Sequence, residues 1–275
     1  MFEVLFILLA VASSCGLIGS VLVVRNQSMM ADALSHSVLL GIVLGFFISH
    51  NLESPLLMIG AAVFGVLTVL AIEGLHTRKI AQDAATGLLF TFFFSLAVIL
   101  ISLFARNVHL DMDMVLMGEV LFAPLHRFNI LGLSLPVSLG KSIAILLINA
   151  VFFGVFYHPL KLYLFDKTQA ALQGLKIGKL ELLLLFLVSL TTVLSFESVG
   201  SMTVIVFLVA PAMTILPWSR SFVQLLLGGQ LVAAINVAIG YHLAMMFDLT
   251  MSGTCAVTAL VVFCVSHFFK NRLKN

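Results

Sequence analysis

Asp32 and His36 stand four residues apart in Met-Met-Ala-Asp-Ala-Leu-Ser-His-Ser, within a run of otherwise apolar and small residues. On a helix that spacing places a carboxylate and an imidazole on one face, one turn apart. An ionisable side chain in an apolar span is costly, about 2.5 to 3.5 kcal/mol for Asp at a helix centre, so the default reading is functional. A carboxylate oxygen and a neutral imidazole nitrogen make half of a usual ligand set for a divalent transition metal. Two copies of the helix meeting across a two-fold axis would surround one ion with two Asp and two His. Spacing alone equally permits a structural role, in which Asp32 caps the helix and pairs with His36. Gly41 and Gly45 follow on the same segment in a small-xxx-small pattern that allows close helix contact.

The remaining polar groups are scattered. Glu197 sits at a break between two apolar runs, and His242, Met245, Met246 and Asp248 approach the end of another. Glu197, His242 and Asp248 are candidates for a metal access path. Against this stand a structural turn at Glu197 and methionines used for packing. His109, Asp111 and Asp113 form a polar loop that would attract cations or simply be solvated. Gly140-Lys141-Ser142 imitates the end of a phosphate loop, but the required first glycine is Leu135. The chain is therefore not expected to hydrolyse ATP, and it has no HExxH or GxSxG motif. Cys15, Cys255 and Cys264 lie in apolar runs without CxxC spacing and are expected to be small buried hydrophobes.

The elements that carry these residues are set by composition. Hydrophobic residues make up 61% of the 275 and charged residues 9%, against about 25% charged in a soluble domain. Mean hydropathy is +1.20. Spans of about 20 apolar residues are predicted at Val4–Val24, Ser28–Ile48, Pro55–Leu75, Ala84–Ala105, Ser142–Tyr157, Leu180–Phe196, Gly200–Trp218, Phe222–Phe247 and Gly253–Phe269. They lack the period-two alternation of barrel strands, so helices alone satisfy their backbones. The expected fold is all-α, a polytopic membrane bundle of eight to nine transmembrane helices forming a single domain over 1–275. The first run has no basic flank or clear cleavage site and is expected to be a retained helix.

Orientation follows from the basic residues. Arg25, Arg78, Lys79, Lys161, Lys167, Lys176, Lys179, Arg220, Lys270, Arg272 and Lys274 fall in one set of alternating loops; only Arg106, Arg127 and Lys141 fall in the other. Basic loops stay cytoplasmic, which puts the N-terminus outside and the C-terminus inside. The main cytoplasmic loop is then about 158–179. The outer segment 106–141 is itself rather apolar and is expected to hold a short helix against the bundle. Within the cytoplasmic loop, Phe165-Asp166 to Ala170 and Gly174 reads as a short helix ended by a glycine cap. Such an element serves either as a docking knob or as an interfacial linker.

Several stretches, in order along nearly the whole chain, resemble the membrane permease subunits of bacterial ATP-binding-cassette importers for manganese, zinc or iron. Asp32-Ala-Leu-Ser-His36-Ser-Val-Leu-Leu-Gly41 resembles the family's second-span signature. Gln82-Asp83-Ala-Ala-Thr-Gly87, Leu116-Met-Gly118-Glu-Val-Leu121 and Ser198-Val-Gly200 through Val209-Ala-Pro211-Ala resemble later motifs. Phe165, Asp166, Ala170 and Gly174 match the loop that docks onto the ATPase. Leu40 stands where the family usually has proline. The resemblance implies a bacterial cell membrane location and a pair of permease subunits, identical or paralogous. It also implies a cytoplasmic ATPase that binds ATP and an extracytoplasmic solute-binding lipoprotein. Asp32 and His36 of both subunits would line the site for the transported manganese, zinc or iron, with manganese favoured. The rival readings are a proton-coupled secondary metal transporter without an ATPase partner, and a membrane scaffold in which the pair is structural.

Overall fold

The computed structural model describes residues 2–51, 54–77, 79–104, 120, 127–130 and 133–274. Its helices are α1 (Phe2–Val24), α2 (Met29–Ser49), α3 (Pro55–Leu75), α4 (Gln82–Phe104), α5 (Val137–Phe165), α6 (Lys167–Leu172), α7 (Ile177–Val199), α8 (Ser201–Ile215), α9 (Phe222–Phe247) and α10 (Met251–Lys274). A hairpin of β1 (Arg127–Ile130) and β2 (Leu133–Pro136) precedes α5, with Arg127 opposite Pro136 and Ile130 opposite Leu133. Of the outer segment 106–141, expected to hold a short helix, the described residues show this hairpin running into α5. Arg106, His109, Asp111, Asp113 and the Leu116–Gly118 motif lie outside the described residues, as does Arg78.

Local chemistry sets the helix ends. Ser54 lies in extended backbone and its Oγ accepts from the Leu56 N–H at 3.3 Å, with Pro55 opening α3, the residue pair favoured at a helix start. At the end of α1, Asn26 takes φ 58°. The Gln27 N–H returns to the Leu22 carbonyl at 2.8 Å and the Asn26 N–H to Val23 at 3.1 Å. This is a Schellman closure with Arg25 at the cap. Between α7 and α8, Gly200 adopts φ 80°, ψ 158°, a region open essentially to glycine. α5 is longer than its apolar run predicts and carries Pro159 inside it. The segment from His158 to Phe165, expected as loop, continues the helix, and the interhelical loop contracts to α6 and its flanks.

α1 is the hub, packed against α5, α7, α8 and α9, while α2 packs on α3 and α4. At the α2–α3 crossing a Cβ on Gly41 would overlap the Gly60 carbonyl, and one on Gly45 would stand 2.6 Å from the Leu56 carbonyl oxygen. The small-xxx-small pair therefore serves a close backbone approach. A fully buried Asn149 on α5 donates to Ser14 Oγ of α1 at 2.7 Å and to Thr191 Oγ1 of α7 at 2.9 Å. That bond set fastens three helices where no water is available to compete.

Polar contacts separate the two ends of the bundle. Arg25, Glu73, Tyr163 and Glu181 gather at one end. At the other, Glu3 pairs with Arg127 at 2.7 Å and Lys141 with Glu197 at 2.6 Å. Among the described residues, eight helices are long and apolar enough to cross a membrane; α8, with 15 residues, is shorter. At 1.5 Å per residue it spans about 22 Å. It nevertheless joins the two ends: it starts beside Glu197, and just past its last residue Trp218 Nε1 donates to Ser266 Oγ while Lys270 reaches the Pro217 carbonyl. Eight spans and this shorter apolar helix among the described residues agree with the eight to nine helices expected.

Candidate metal site

α2 packs against α3 and α4 and, more lightly, against α7 and α8. From Met30 to Gly41, Asp32 and His36 alone are not buried, with side-chain exposures of 46% and 32%. The polar pair thus marks the opening in an otherwise sealed helix face. At 1.5 Å per residue, Asp32 and His36 lie about 5 and 10 Å from the start of α2, within its N-terminal half.

His36 Nε2 stands 3.6 Å from Asp32 Oδ1. That is too long for a hydrogen bond. It is close to the separation of about 3.4 Å between two ligand atoms each about 2.1 Å from one tetrahedral ion. The imidazole is oriented by aromatic packing: its ring centroid lies 5.1 Å from that of Phe94, edge to face, and 5.7 Å from that of Phe90. Both phenylalanines come from α4. Nδ1 is buried with no hydrogen-bond partner. Ser35 Oγ donates to the Asp32 carbonyl at 2.6 Å, leaving the carboxylate free of intrahelical bonds from Ser35. No described group of three or more His, Cys, Asp or Glu side chains gathers around one point. Asp32 and His36 are the two side chains of metal-ligand type that one copy brings together at this opening.

The other predicted residues lie apart from this pair. Glu197 is held by Lys141, whose Nζ is also 4.0 Å from Met58 Sδ. His242 is exposed beside Tyr241, their ring centroids 5.7 Å apart. Asp248 caps α9 with φ 52°. All three belong to the end of the bundle away from Arg25 and Glu181.

At the opposite end, Asp166 caps α6 by accepting from the Gln169 N–H at 2.8 Å. The Leu175 N–H returns to Ala170 and the Gly174 N–H to Ala171, with Gly174 at φ 74°, the expected glycine cap. Ala170 is buried against the bundle, whereas Phe165 and Leu172 are 64% and 84% exposed. Leu172 was not singled out by sequence. Its signal was there, an apolar side chain two residues before the capping glycine on a segment outside the spans.

Eight long apolar spans, a polar pair opening from a sealed helix and a capped helix projecting at the basic end define a multi-pass membrane transport subunit. The chain belongs to the ABC 3 transport family, whose profile matches residues 1–271. It is 35% identical to the manganese transport system membrane protein MntD of Bacillus subtilis (strain 168) over 94% of this chain and 88% of that one. It is 38% identical to the zinc transport system membrane protein TroD of Treponema pallidum (strain Nichols), over 97% of this chain and 73% of that one. The fold is also that of PsaBC from Streptococcus pneumoniae in complex with Fab, with a TM-score of 0.80, 24% identity and coverage of 99% and 94%. The expected all-α polytopic fold and bacterial membrane family are therefore established.

Proposed function

We propose that this chain is the permease subunit of an importer for a divalent transition metal, manganese or zinc, driven by ATP hydrolysis in a separate cytoplasmic subunit. The relatives named for manganese and zinc transport support the cargo. The observation that carries the reading is the Asp32–His36 pair, 3.6 Å apart and opening from an otherwise buried helix. A half-exposed carboxylate on a membrane helix does not belong against lipid. A second permease subunit covers it and supplies another Asp and His, completing four ligands. Asp32 contributes charge that offsets ion dehydration, and His36 contributes a nitrogen that hard Mg²⁺ and Ca²⁺ do not favour.

The helix α6, with Leu172 exposed on it and Phe165 exposed at the end of α5 just before it, is the surface for the ATPase; exposed apolar side chains in water mark a partner site. An extracytoplasmic binding protein delivers the ion at the outer end, where Glu197, His242 and Asp248 serve as an access path. Nothing in the fold or the relatives favours a proton-coupled transporter without an ATPase.

The test is metal uptake by the assembled transporter carrying Asp32→Ala or His36→Ala, with membrane expression and ATPase association checked. Uptake should fall to background in both. Uptake equal to that of the unmodified transporter would remove the assignment.

A further inference from the structure

Arg25 closes α1 and immediately precedes the turn into α2, seven residues before Asp32. Its side chain is 8% exposed. Nη2 donates to Glu181 Oε1 of α7 at 2.5 Å and lies 3.8 Å from Glu73 Oε1 of α3. The fully buried Tyr163 of α5 donates its hydroxyl to the same Glu181 oxygen at 2.6 Å. The Arg25 guanidinium carbon sits 5.3 Å from the Tyr163 ring centroid, and the Nζ of Lys167, first residue of α6, sits 5.2 Å from it. Glu181 Oε1 and the Tyr163 ring thus join α1, α5 and α7 to α6, and Arg25 extends the set to Glu73 of α3.

Rigidity alone does not account for this set. Buried ion pairs are poor stabilisers compared with apolar packing, and their best attested use is registry or switching. Arg25 Nη1 and Glu73 Oε2 are buried without partners, so the network leaves bonding capacity unused. Arg25 has one tight carboxylate and a second just beyond bonding range, on a different helix. Moving the guanidinium from Glu181 to Glu73 exchanges one ion pair for the other, the discrete two-arrangement element that coupling between distant sites requires. Both consequences reach the metal pair: Arg25 is joined to α2 by the Schellman turn, and α3 meets α2 at the Gly41–Gly60 crossing.

We propose that Arg25 is a positioning residue that links α6 to the Asp32–His36 pair by exchanging Glu181 for Glu73 between the two access states. The proposal rests on the reading that α6 docks onto an ATPase. Displacement of α6 acts on Lys167 and Tyr163, loosens the Glu181 carboxylate and releases Arg25 toward Glu73.

The experiment measures metal ions transported per ATP hydrolysed by the assembled transporter in liposomes. The informative variant is Glu73→Gln, which keeps the tight Arg25–Glu181 bond and removes the alternative partner. The ratio should fall roughly 3- to 30-fold while ATPase binding persists. Arg25→Gln should lower it similarly, and Tyr163→Phe, which keeps the ring and loses the hydroxyl, by roughly 2- to 3-fold. If Arg25→Gln does not assemble, Glu73→Gln and Tyr163→Phe carry the test. An unchanged ratio in a stable, ATPase-bound Glu73→Gln transporter overturns the proposal. Leu172→Asp separates the two readings. Loss of the ATPase from Leu172→Asp together with an unchanged ratio in Glu73→Gln rejects Arg25 alone. Retention of the ATPase by Leu172→Asp rejects the docking reading beneath it.

Discussion

His36 Nε2 faces Asp32 Oδ1 across 3.6 Å, one helical turn along α2, with the imidazole set between Phe90 and Phe94 of α4. The gap is too long for a hydrogen bond and close to the spacing of two ligands on one ion, which is what the proposed metal site requires. In the proposed site the nitrogen is the discriminating member, since oxygen ligands alone suit magnesium and calcium.

Replacing that nitrogen by oxygen should therefore change selectivity more than capacity. In His36→Asp, competition of calcium against manganese uptake is expected to strengthen about 10- to 100-fold, the range that even outer-sphere changes reach at metal sites. Competition curves with calcium and zinc over the same concentrations check it. Undiminished discrimination would mean that His36 does not touch the ion.

The Gly41–Gly60 contact makes a second prediction. A Cβ at Gly41 meets the backbone carbonyl of Gly60, which cannot move aside as a side chain can. Gly41→Ala should cost about 1 to 3 kcal/mol, the usual range for overpacking, seen as a lower unfolding temperature in detergent. Gly154→Ala, where a Cβ meets nothing within 4 Å, should be neutral or slightly stabilising because alanine favours helix.

These two sites show what could be seen in the sequence. The spans were legible because membrane helices must be long and apolar throughout: Pro55–Leu75 and Phe222–Phe247 are found at the expected bounds. The ends of α5 were not, since Pro159 and the polar residues after Tyr157 look like loop although the helix runs on past the apolar core. Asp32 and His36 were legible as charges in an apolar run, and their opening on one sealed face follows from tertiary packing. Arg25, Glu73, Tyr163 and Glu181 were not legible as a group. They come from four helices, and each taken alone is an ordinary span-end residue.

The α6 surface makes the third prediction. Leu172 projects outward, whereas Asp166 spends its side chain on the Gln169 N–H. Leu172→Asp should weaken ATPase association by about 1 to 2 kcal/mol, or roughly 5- to 30-fold in Kd, as for a residue anchored in an interface. Asp166→Lys should also weaken it, through loss of the cap and reversed charge, and Asp166→Ser should largely restore it because serine also caps. Pull-down of the ATPase from detergent-solubilised membranes measures all three. Equal recovery from every variant would place the interface elsewhere.

The fourth concerns the junction of α7 and α8. Gly200 holds φ 80°, ψ 158°, a conformation that costs a residue with a side chain about 1 to 3 kcal/mol. Its N–H bonds the Phe196 carbonyl at 2.9 Å, and its carbonyl accepts from Val204 at 3.3 Å, so the turn is bonded on both sides and has little room to relax. Gly200→Ala should lower the unfolding temperature, and Gly200→Val should lower it further. The strain falls three residues from Glu197, whose carboxylate pairs with Lys141 at 2.6 Å. That exposed pair is worth at most about 1 kcal/mol, so Lys141→Ala should barely move the same transition. A large loss of stability in Lys141→Ala with none in Gly200→Ala would show that the ion pair, and not the glycine, holds this corner.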